Sequence, residues 1–360
     1  MKRPALRDEG LPESDAFEGA PHPREVFSLR GHSAAELTLL EAYRSGRLPQ
    51  AWIIGGQEGV GKATLAWRFA KFLFANPDPR LPSVQNARDL SVDPNNASVR
   101  RVTSLSHGDL LLLRREWNSA SKKHFSEIRM EDVRRALELF HHAAGEGGWR
   151  VCIVDCAEDL NRSGANALLK IVEEPPPKSL FLILSHRPAR ILPTIRSRSR
   201  MLLLEPLSPA DVAGAIRDLG SPWSEHGPDL EAAAERSGGS VRQALRLLDS
   251  DRLALARRMD GLLGSLPAVD WREVHSLADR ITPASALDDF ESAIGSIFDW
   301  LDRQVRERAD EGPHRLAPLA EVWEKAADAV REAEALNLDK RPLILSIFAD
   351  LAAATGAARR

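Results

Sequence analysis

Residues 56–64, with the sequence GQEGVGKAT, have the residue types and spacing of a phosphate-binding loop. The backbone N–H groups of such a loop turn inward around a polyphosphate, and the lysine reaches the β and γ phosphates. The candidate nucleotide-binding residues are therefore Gly56, Gly59, Gly61, Lys62 and Thr64. One position departs from the motif, because Ala63 replaces the Ser or Thr that holds Mg²⁺, and a methyl group cannot ligate a metal ion.

An apolar run over residues 150–154 ends in Asp155, which supplies the second half of a nucleotide site. Its carboxylate is expected to hold Mg²⁺ through water. A hydrolysing enzyme of this kind needs a glutamate at the next position to orient the attacking water, and Cys156 cannot do so. Glu158 lies two residues further on, and we predict that it stabilises a helix N-terminus instead. Together, Ala63 and Cys156 argue against ATP hydrolysis at this site.

A basic cluster, TIRSRSR over residues 194–200, has two interpretations. The first is a solvated turn between a helix and a strand, which is what most charge clusters are. The second is an arginine finger, a guanidinium that one subunit supplies to its neighbour's ATP. There it neutralises the charge that develops on the γ-phosphate.

The elements that must position these residues are those of a parallel α/β sheet. Apolar segments bounded by turn residues predict strands at 51–54, 110–113, 150–155, 180–185 and 201–204. Helical patterns lie between them, at 33–45, 65–70, 131–142 and 165–172. Strands and helices that alternate in this way indicate an α/β fold with the phosphate-binding loop after its first strand. Residues 76–109, rich in Pro, Asn, Ser and Asp, are predicted to form a long irregular excursion.

After Glu205 the strand patterns end. Ser208 and Pro209 predict the start of a helix, and further helical patterns lie at 229–236, at 241–248 and from residue 254 onward. We therefore predict a disordered N-terminal tail at 1–25, a P-loop domain at 26–205, a small helical lid at 206–257 and an all-helical domain at 258–360.

Composition narrows the function further. The net charge is −3, which excludes a strongly basic nucleic-acid binder and makes any DNA contact local. Cys152 and Cys156 are the only cysteines, and on one strand their Cα atoms would lie roughly 13 Å apart, too far for a disulfide. A cytoplasmic location is expected, because no apolar run reaches the length of a membrane span and residues 1–24 lack the apolar core of a signal peptide.

The strings LLKIVEEPP at 168–176 and RSRSR at 196–200 resemble those of bacterial DNA polymerase III clamp-loader subunits. Within that family, the chain most resembles the delta-prime group. The resemblance covers residues 28–250 well and implies an AAA+ module, a three-helix lid and a helical collar through which five subunits form a ring. In that family the motor subunits carry complete nucleotide-binding motifs, whereas delta-prime is a stator that donates an arginine finger from a Ser-Arg-Cys motif. The matching triplet here is SRS at 197–199, so the resemblance makes Arg198 the finger.

The same resemblance implies partners and cofactors. The partners would be gamma/tau-like motor subunits, a delta-like subunit, the sliding β-clamp and, through the complex, primed DNA. The chain would not hydrolyse ATP alone and would require no cofactor, although residual ATP or ADP binding stays open because Gly61 and Lys62 are kept. Many relatives carry a four-cysteine zinc module where residues 76–109 hold no cysteine, so no zinc or other metal is expected. Arg242 matches a lid arginine that senses the γ-phosphate in active relatives, and here we expect a helix-surface or interface residue.

Two rival functions remain open. The first is an active AAA+ ATPase, the motor subunit of a clamp loader, from which Ala63 and Cys156 distinguish this chain. The second is a P-loop nucleotide or small-molecule kinase. A kinase predicts a closing lid with arginines near the site, and not a C-terminal helical domain of about a hundred residues.

Overall fold

The computed structural model of the chain describes residues 12–141, 148–249, 252–283, 286–308, 313–336 and 338–358. It divides into two compact units, Met1–Leu245 and Arg246–Arg360. Residues 1–11 and 142, on which some of the predictions fall, lie outside the described residues.

The first unit is built on a parallel sheet. Its strands are β1 (Ala51–Gly55), β2 (Leu110–Leu113), β5 (Arg150–Val154), β6 (Ser179–Ser185) and β7 (Arg200–Leu203), and a separate antiparallel pair comprises β3 (Trp117–Asn118) and β4 (Lys123–His124). The spatial order is β2-β5-β6-β1-β7, and every neighbouring pair in it is parallel. In the register Trp52 lies opposite Leu182 on one side and Arg200 on the other. All five strands predicted for this sheet are confirmed, as is the α/β fold, whereas the β3–β4 pair was not predicted.

In the described residues of the first unit, ten α-helices accompany the sheet. They are α1 (Ser33–Arg44), α2 (Lys62–Ala75), α3 (Pro82–Gln85), α4 (Ala97–Thr103), α5 (Met130–His141), α6 (Arg162–Glu173), α7 (Pro193–Arg196), α8 (Pro209–Asp218), α9 (Pro228–Arg236) and α10 (Val241–Leu248), whose last residues pass into the second unit. Helix α8 begins as predicted, because the Ser208 side chain accepts a hydrogen bond from the backbone N–H of Asp211 and Pro209 occupies the first turn. 

Residues 76–109 are less irregular than predicted, since α3 and α4 lie within them. The Asn96 side chain accepts hydrogen bonds from Ser98 N and Val99 N and so caps α4. Val99 and Val102 on the same helix are fully buried. An asparagine that had indicated a loop is therefore the start signal of a short helix.

The prediction of a disordered tail at 1–25 is wrong for residues 12–25, which we call the N-terminal strap. The strap lies against the first unit: its His22 is buried, and Trp223 Nε1 donates a hydrogen bond to Gly19 O at 2.8 Å. Its acidic residues indicated solvation, but Glu13 and Asp15 are both paired with Arg114, about a hundred residues further along the chain. 

The second unit is helical in its described residues, as predicted for the C-terminal region. It comprises α11 (Arg252–Gly264), α12 (Trp271–Ile281), α13 (Leu287–Glu307), α14 (Pro313–Ala335) and α15 (Lys340–Ala358). One apolar cluster, which includes Met259, Leu277, Phe290 and Phe348, draws on all five of these helices. The first unit includes residues 206–245 of the predicted lid, so the boundary at residue 257 stays a prediction. Among the helices described, none is long and apolar enough to cross a membrane.

Candidate functional site

The phosphate-binding loop connects β1 to α2, as the sequence indicated, and Gly61 is the residue that precedes the helix. Gly59 must be glycine for two reasons. Its φ is +76°, in the left-handed region, and a Cβ atom there would lie 2.8 Å from the backbone N of Arg242. The loop is thus shaped by its own backbone and by the close approach of residues that follow α9. Ala63 and Thr64 are half-buried in the first turn of α2.

Lys62 is 5% exposed, and its ammonium donates hydrogen bonds to Gly56 O at 2.8 Å and Gln57 O at 2.7 Å. The same Nζ lies 2.9 Å from Nδ1 of His186. Burial lowers the pKa of Lys62 to about 8, against the opposing charge of Asp155. Burial and the neighbouring Lys62 charge lower the pKa of His186. This lysine is therefore a desolvated cation held mainly by neutral acceptors.

Asp155 follows β5, and its backbone N–H donates to Leu113 O at 2.8 Å. Burial, followed by the charge of Asp15, raises the pKa of Asp155 to about 7, although Lys62 opposes the shift. The structure therefore brings Asp155 and Lys62 within electrostatic range of each other, as the sequence predicted. The set of side chains fits phosphate binding through Lys62, but Ala63 offers no hydroxyl for a metal ion.

Cys156 and the carboxylate of Glu158 are both engaged within the fold. Cys156 is buried, and desolvation raises the pKa of its thiol. The carboxylate of Glu158 accepts hydrogen bonds from Ser185 Oγ at 2.5 Å and from Arg187 N at 2.6 Å. Glu158 lies in a short 3-10 helix after β5, and Arg187 precedes another, Pro188–Arg190, which follows the neighbouring strand β6. The hydrogen bond from Arg187 N therefore agrees with the prediction that Glu158 stabilises a helix N-terminus.

Residues after α9 bind the tip of the loop directly. Gln57 Nε2 donates to Gly238 O at 2.7 Å, and Ser240 Oγ donates to Glu58 O at 2.8 Å. The backbone N–H of Val241 donates to Gly59 O at 2.9 Å. Two carbonyl groups and one side chain of the loop are thus used to hold the start of α10.

Arg242 lies where the loop, α10 and the N-terminal strap meet. Its Nη2 donates to Ala16 O at 3.1 Å, and its Nε lies 3.0 Å from Oε1 of Glu58. The guanidinium also lies over the ring of Phe17, 5.9 Å from the centroid. Sequence reasoning missed this role, because neither Ala16 nor Phe17 carries a pattern that points to an arginine.

Arg198 lies on a different part of the first unit, between α7 and β7. Its side chain is 42% exposed, and Nη2 lies 2.9 Å from Oε1 of Glu173, the last residue of α6. Its Nη1 donates to Thr194 O at 3.1 Å. The fold thus joins the two sequence strings that carried the resemblance, because a glutamate of the first holds an arginine of the second. This arrangement can present a positioned guanidinium to a molecule outside the chain.

Comparisons with known proteins find similarity over these same residues. A family model described as DNA polymerase III, delta subunit, matches residues 31–208. The chain is 28% identical to DNA polymerase III subunit delta' of Escherichia coli over 234 residues, and this stretch covers 65% of each of the two chains. Against subunit delta' of Yersinia pestis the identity is 29% over 268 residues, 73% of this chain and 74% of that one.

The similarity extends to a second kind of subunit. DNA polymerase III subunit gamma/tau of Mycobacterium tuberculosis is 27% identical over 295 residues, 78% of this chain and 46% of that one. The chain thus spans about half the length of the mycobacterial relative and slightly less than two thirds of the E. coli one. Among solved structures, a gamma subunit-related protein of Thermotoga maritima superimposes with a TM-score of 0.40 at 16% identity, over 88% of this chain and 99% of that one.

Proposed function

Because the chain belongs to the AAA+ clamp-loader family of DNA polymerase III, we propose that it acts as a delta-prime-like stator within such a complex. In this role it does not hydrolyse ATP itself. It supplies Arg198 as an arginine finger to the ATP site of a neighbouring gamma/tau-like motor subunit. The assembled ring, with a delta-like subunit, opens a sliding β-clamp and places it on primed DNA.

The observation that carries the proposal is the contrast between the two sites of the first unit. The loop keeps Lys62 and Asp155 but lacks a hydroxyl at Ala63 and a base at Cys156. Arg198, in contrast, is exposed and oriented by the carboxylate of Glu173. An exposed ion pair of this kind contributes only about 0–1 kcal/mol, so exchanging Glu173 for a neighbour's phosphate costs little.

Electrostatics agree with a shared contact to DNA. The chain has a net charge of −3, and so it does not supply the long basic surface that a DNA-binding protein needs alone. Within a ring, other subunits would contribute most of the positive charge. This chain would contribute geometry and one guanidinium.

The test is Arg198→Ala in a complex reconstituted with candidate motor subunits, a delta-like subunit and a β-clamp. Hydrolysis at the single ATP site that this chain adjoins should fall by about 10³-fold or more, which is the size of effect that an arginine supplied in trans contributes. Assembly, measured by gel filtration, should be unchanged. Arg196→Ala is the matched control, because Arg196 is an exposed arginine two residues away. If complexes with the wild type and with Arg198→Ala hydrolyse ATP at equal single-turnover rates, the finger role is rejected. The basic cluster at residues 194–200 is then only a solvated turn.

The second candidate, an active motor subunit, is favoured by the retained Lys62 and Asp155. It predicts that the purified chain hydrolyses ATP and that Lys62→Ala abolishes this activity. We expect no hydrolysis above the background of Lys62→Ala, because no side chain at position 63 or 156 can hold the metal or activate water.

A further inference from the structure

The acidic end of the N-terminal strap lies at the carboxyl edge of the sheet. Arg114 directly follows β2, and its Nη1 donates to Asp15 Oδ1 at 2.5 Å while its Nη2 donates to Glu13 Oε1 at 2.9 Å. Asp15 is close enough to Asp155 to be the second cause, after burial, of the raised pKa of that carboxyl. Ligands of parallel α/β sheets bind at this edge. The strap thus places two carboxylates of its own in the region of the nucleotide-binding residues.

The other end of the strap lies against residues of the predicted lid. The ring of Phe17 meets the ring of Trp223 edge-on, with centroids 5.8 Å apart, and Gly19 O accepts a hydrogen bond from Trp223 Nε1. Ala16 O accepts from Arg242, whose guanidinium also pairs with Glu58 of the loop. Phe17 and its neighbours therefore connect the loop to two separate points of the lid.

The remaining part of the strap, residues 20–25, also packs against the first unit. His22 is 4% exposed, and its ring lies 6.2 Å from that of Trp67 on α2, the helix that begins with Lys62. Arg24 Nη1 donates to Glu13 Oε2 at 2.5 Å and Arg24 Nε donates to Thr103 O at 3.1 Å. Together with the bonds from Arg114, Arg242 and Trp223, these contacts order a segment that its composition alone would leave solvated.

The Glu13, Asp15 and His22 side chains form a cluster with the spacing of a metal site. Their surroundings identify them instead as an ion-pair network. Arg114 binds both carboxylates, Arg24 binds Glu13, and His22 Nε2 lies 3.1 Å from Asp15 Oδ2. Two guanidinium groups within bonding distance of the ligand atoms already supply the positive charge that a cation would bring.

We propose that the N-terminal strap is an intramolecular inhibitor of nucleotide binding, which holds the lid on the phosphate-binding loop and keeps ATP or ADP from Lys62. Two physical reasons support competition. Asp15 adds negative charge near Asp155, and the phosphates of a nucleotide would bring further negative charge to the same edge of the sheet, where like charges repel. Arg114 and Arg242, two cations available to neutralise phosphates, are engaged by the strap and by Glu58. The proposal concerns only this chain's own loop, so its failure would leave the role of Arg198 untouched.

The test compares nucleotide affinity in full-length variants. Glu13→Gln/Asp15→Asn removes the charges that Arg114 and Arg24 hold while it keeps the size of both side chains. Asp78→Asn/Asp328→Asn is the matched control, because it removes two carboxylates from exposed local ion pairs with Arg80 and Arg331. Binding of a fluorescent ATP analogue is measured by anisotropy with and without Mg²⁺.

We expect the strap variant to bind the ATP analogue at least about tenfold more tightly than the wild type and the control, and Lys62→Ala in the same background to remove that gain. Equal affinities for all three chains, weak or strong, would overturn the proposal. If circular dichroism shows that the double variant does not fold, Phe17→Ala replaces it, since it loosens the lid contact and leaves the ion pairs in place.

Hydrogen exchange of the wild type gives an independent result. Millimolar ATP should increase deuterium uptake in peptides covering residues 12–25, because a nucleotide and the strap cannot be bound together. Uptake in β1 should not increase. Nucleotide binding that leaves the strap peptides unchanged or more protected would mean that the strap and the nucleotide coexist, and the inhibitor role would be rejected.

Discussion

Lys62→Met should change how the stability of the first unit depends on pH. The wild-type ammonium is buried, and its pKa is about 8 in the folded chain against 10.5 for the unfolded chain. Between these values the unfolded state binds a proton that the folded state has lost. The buried charge therefore destabilises the fold fully below pH 8, and this cost is relieved as the pH rises toward 10.5.

The size of the effect follows from the shift. Each pKa unit corresponds to about 1.4 kcal/mol. Integrated from pH 7 to pH 10, the free energy of unfolding of the wild type should rise by about 2.5 kcal/mol relative to that of Lys62→Met. The variant also loses the hydrogen bonds to Gly56 O and Gln57 O, but that loss adds a constant and leaves the pH-dependent difference unchanged. Titration of Lys71, another buried lysine with a pKa of about 8, is common to both chains and cancels.

Urea unfolding at pH 7, 8.5 and 10, followed by far-ultraviolet circular dichroism, measures this difference. Lys325→Met is the control, because Lys325 is an exposed lysine paired with Asp350 and should give parallel curves. A difference between the wild type and Lys62→Met that is constant from pH 7 to pH 10 would refute the reasoning. It would mean that the ammonium of Lys62 is solvated in the folded chain.

Two further predictions concern other buried charges of the first unit. Asp155→Asn should show the opposite pH trend, because burial raises the pKa of Asp155 from 3.8 to about 7. Between pH 4 and pH 8 the wild type should lose up to about 4 kcal/mol of stability relative to the variant. Urea midpoints of the two chains that superimpose at both pH values would contradict this prediction. Glu36→Gln should destabilise the first unit by about 3 kcal/mol, because Glu36 Oε1 accepts hydrogen bonds from Arg68 Nη2 at 2.6 Å and from Leu90 N at 3.2 Å, and a buried guanidinium would lose its counter-charge. If the double variant Glu36→Gln/Arg68→Met regains stability, the loss is due to the unpaired charge of Arg68. If the losses of the two single variants add, it is not.

The sheet and the loop could be predicted because their signals are local. Continuous apolar runs reveal strands that are buried on both faces, and Ser208 with Pro209 marks a helix start whatever lies around it. Arg198 could be named as a candidate from its local motif, and its role as a finger stays a prediction. That Glu173 holds it could not be derived from periodicity, because the two residues are brought together only when α6 and α7 pack.

The N-terminal strap could not be predicted for the same reason. Its order depends on Arg114 and Trp223, which lie about a hundred and two hundred residues further along the chain. Acidic residues with proline and glycine indicate solvation unless their partners are known. The contact of Glu158 with Ser185 could not be predicted either, because Ser185 is at the end of the next strand in the sheet.

Gly59 and Lys62 of the phosphate-binding loop are required for different reasons. Gly59 is needed by the fold alone, because the start of α10 approaches too closely for any Cβ atom. Lys62 is not needed by the fold, since burial of its ammonium opposes stability at neutral pH. A glycine-rich loop can therefore be retained because it contacts the lid, even if it binds no nucleotide. The buried ammonium of Lys62 is held mainly by neutral carbonyl groups, and an anion would stabilise it better. The affinity of the Glu13→Gln/Asp15→Asn variant for ATP therefore distinguishes two cases. In one the loop has only a structural role, and in the other it can bind a nucleotide once the strap is released.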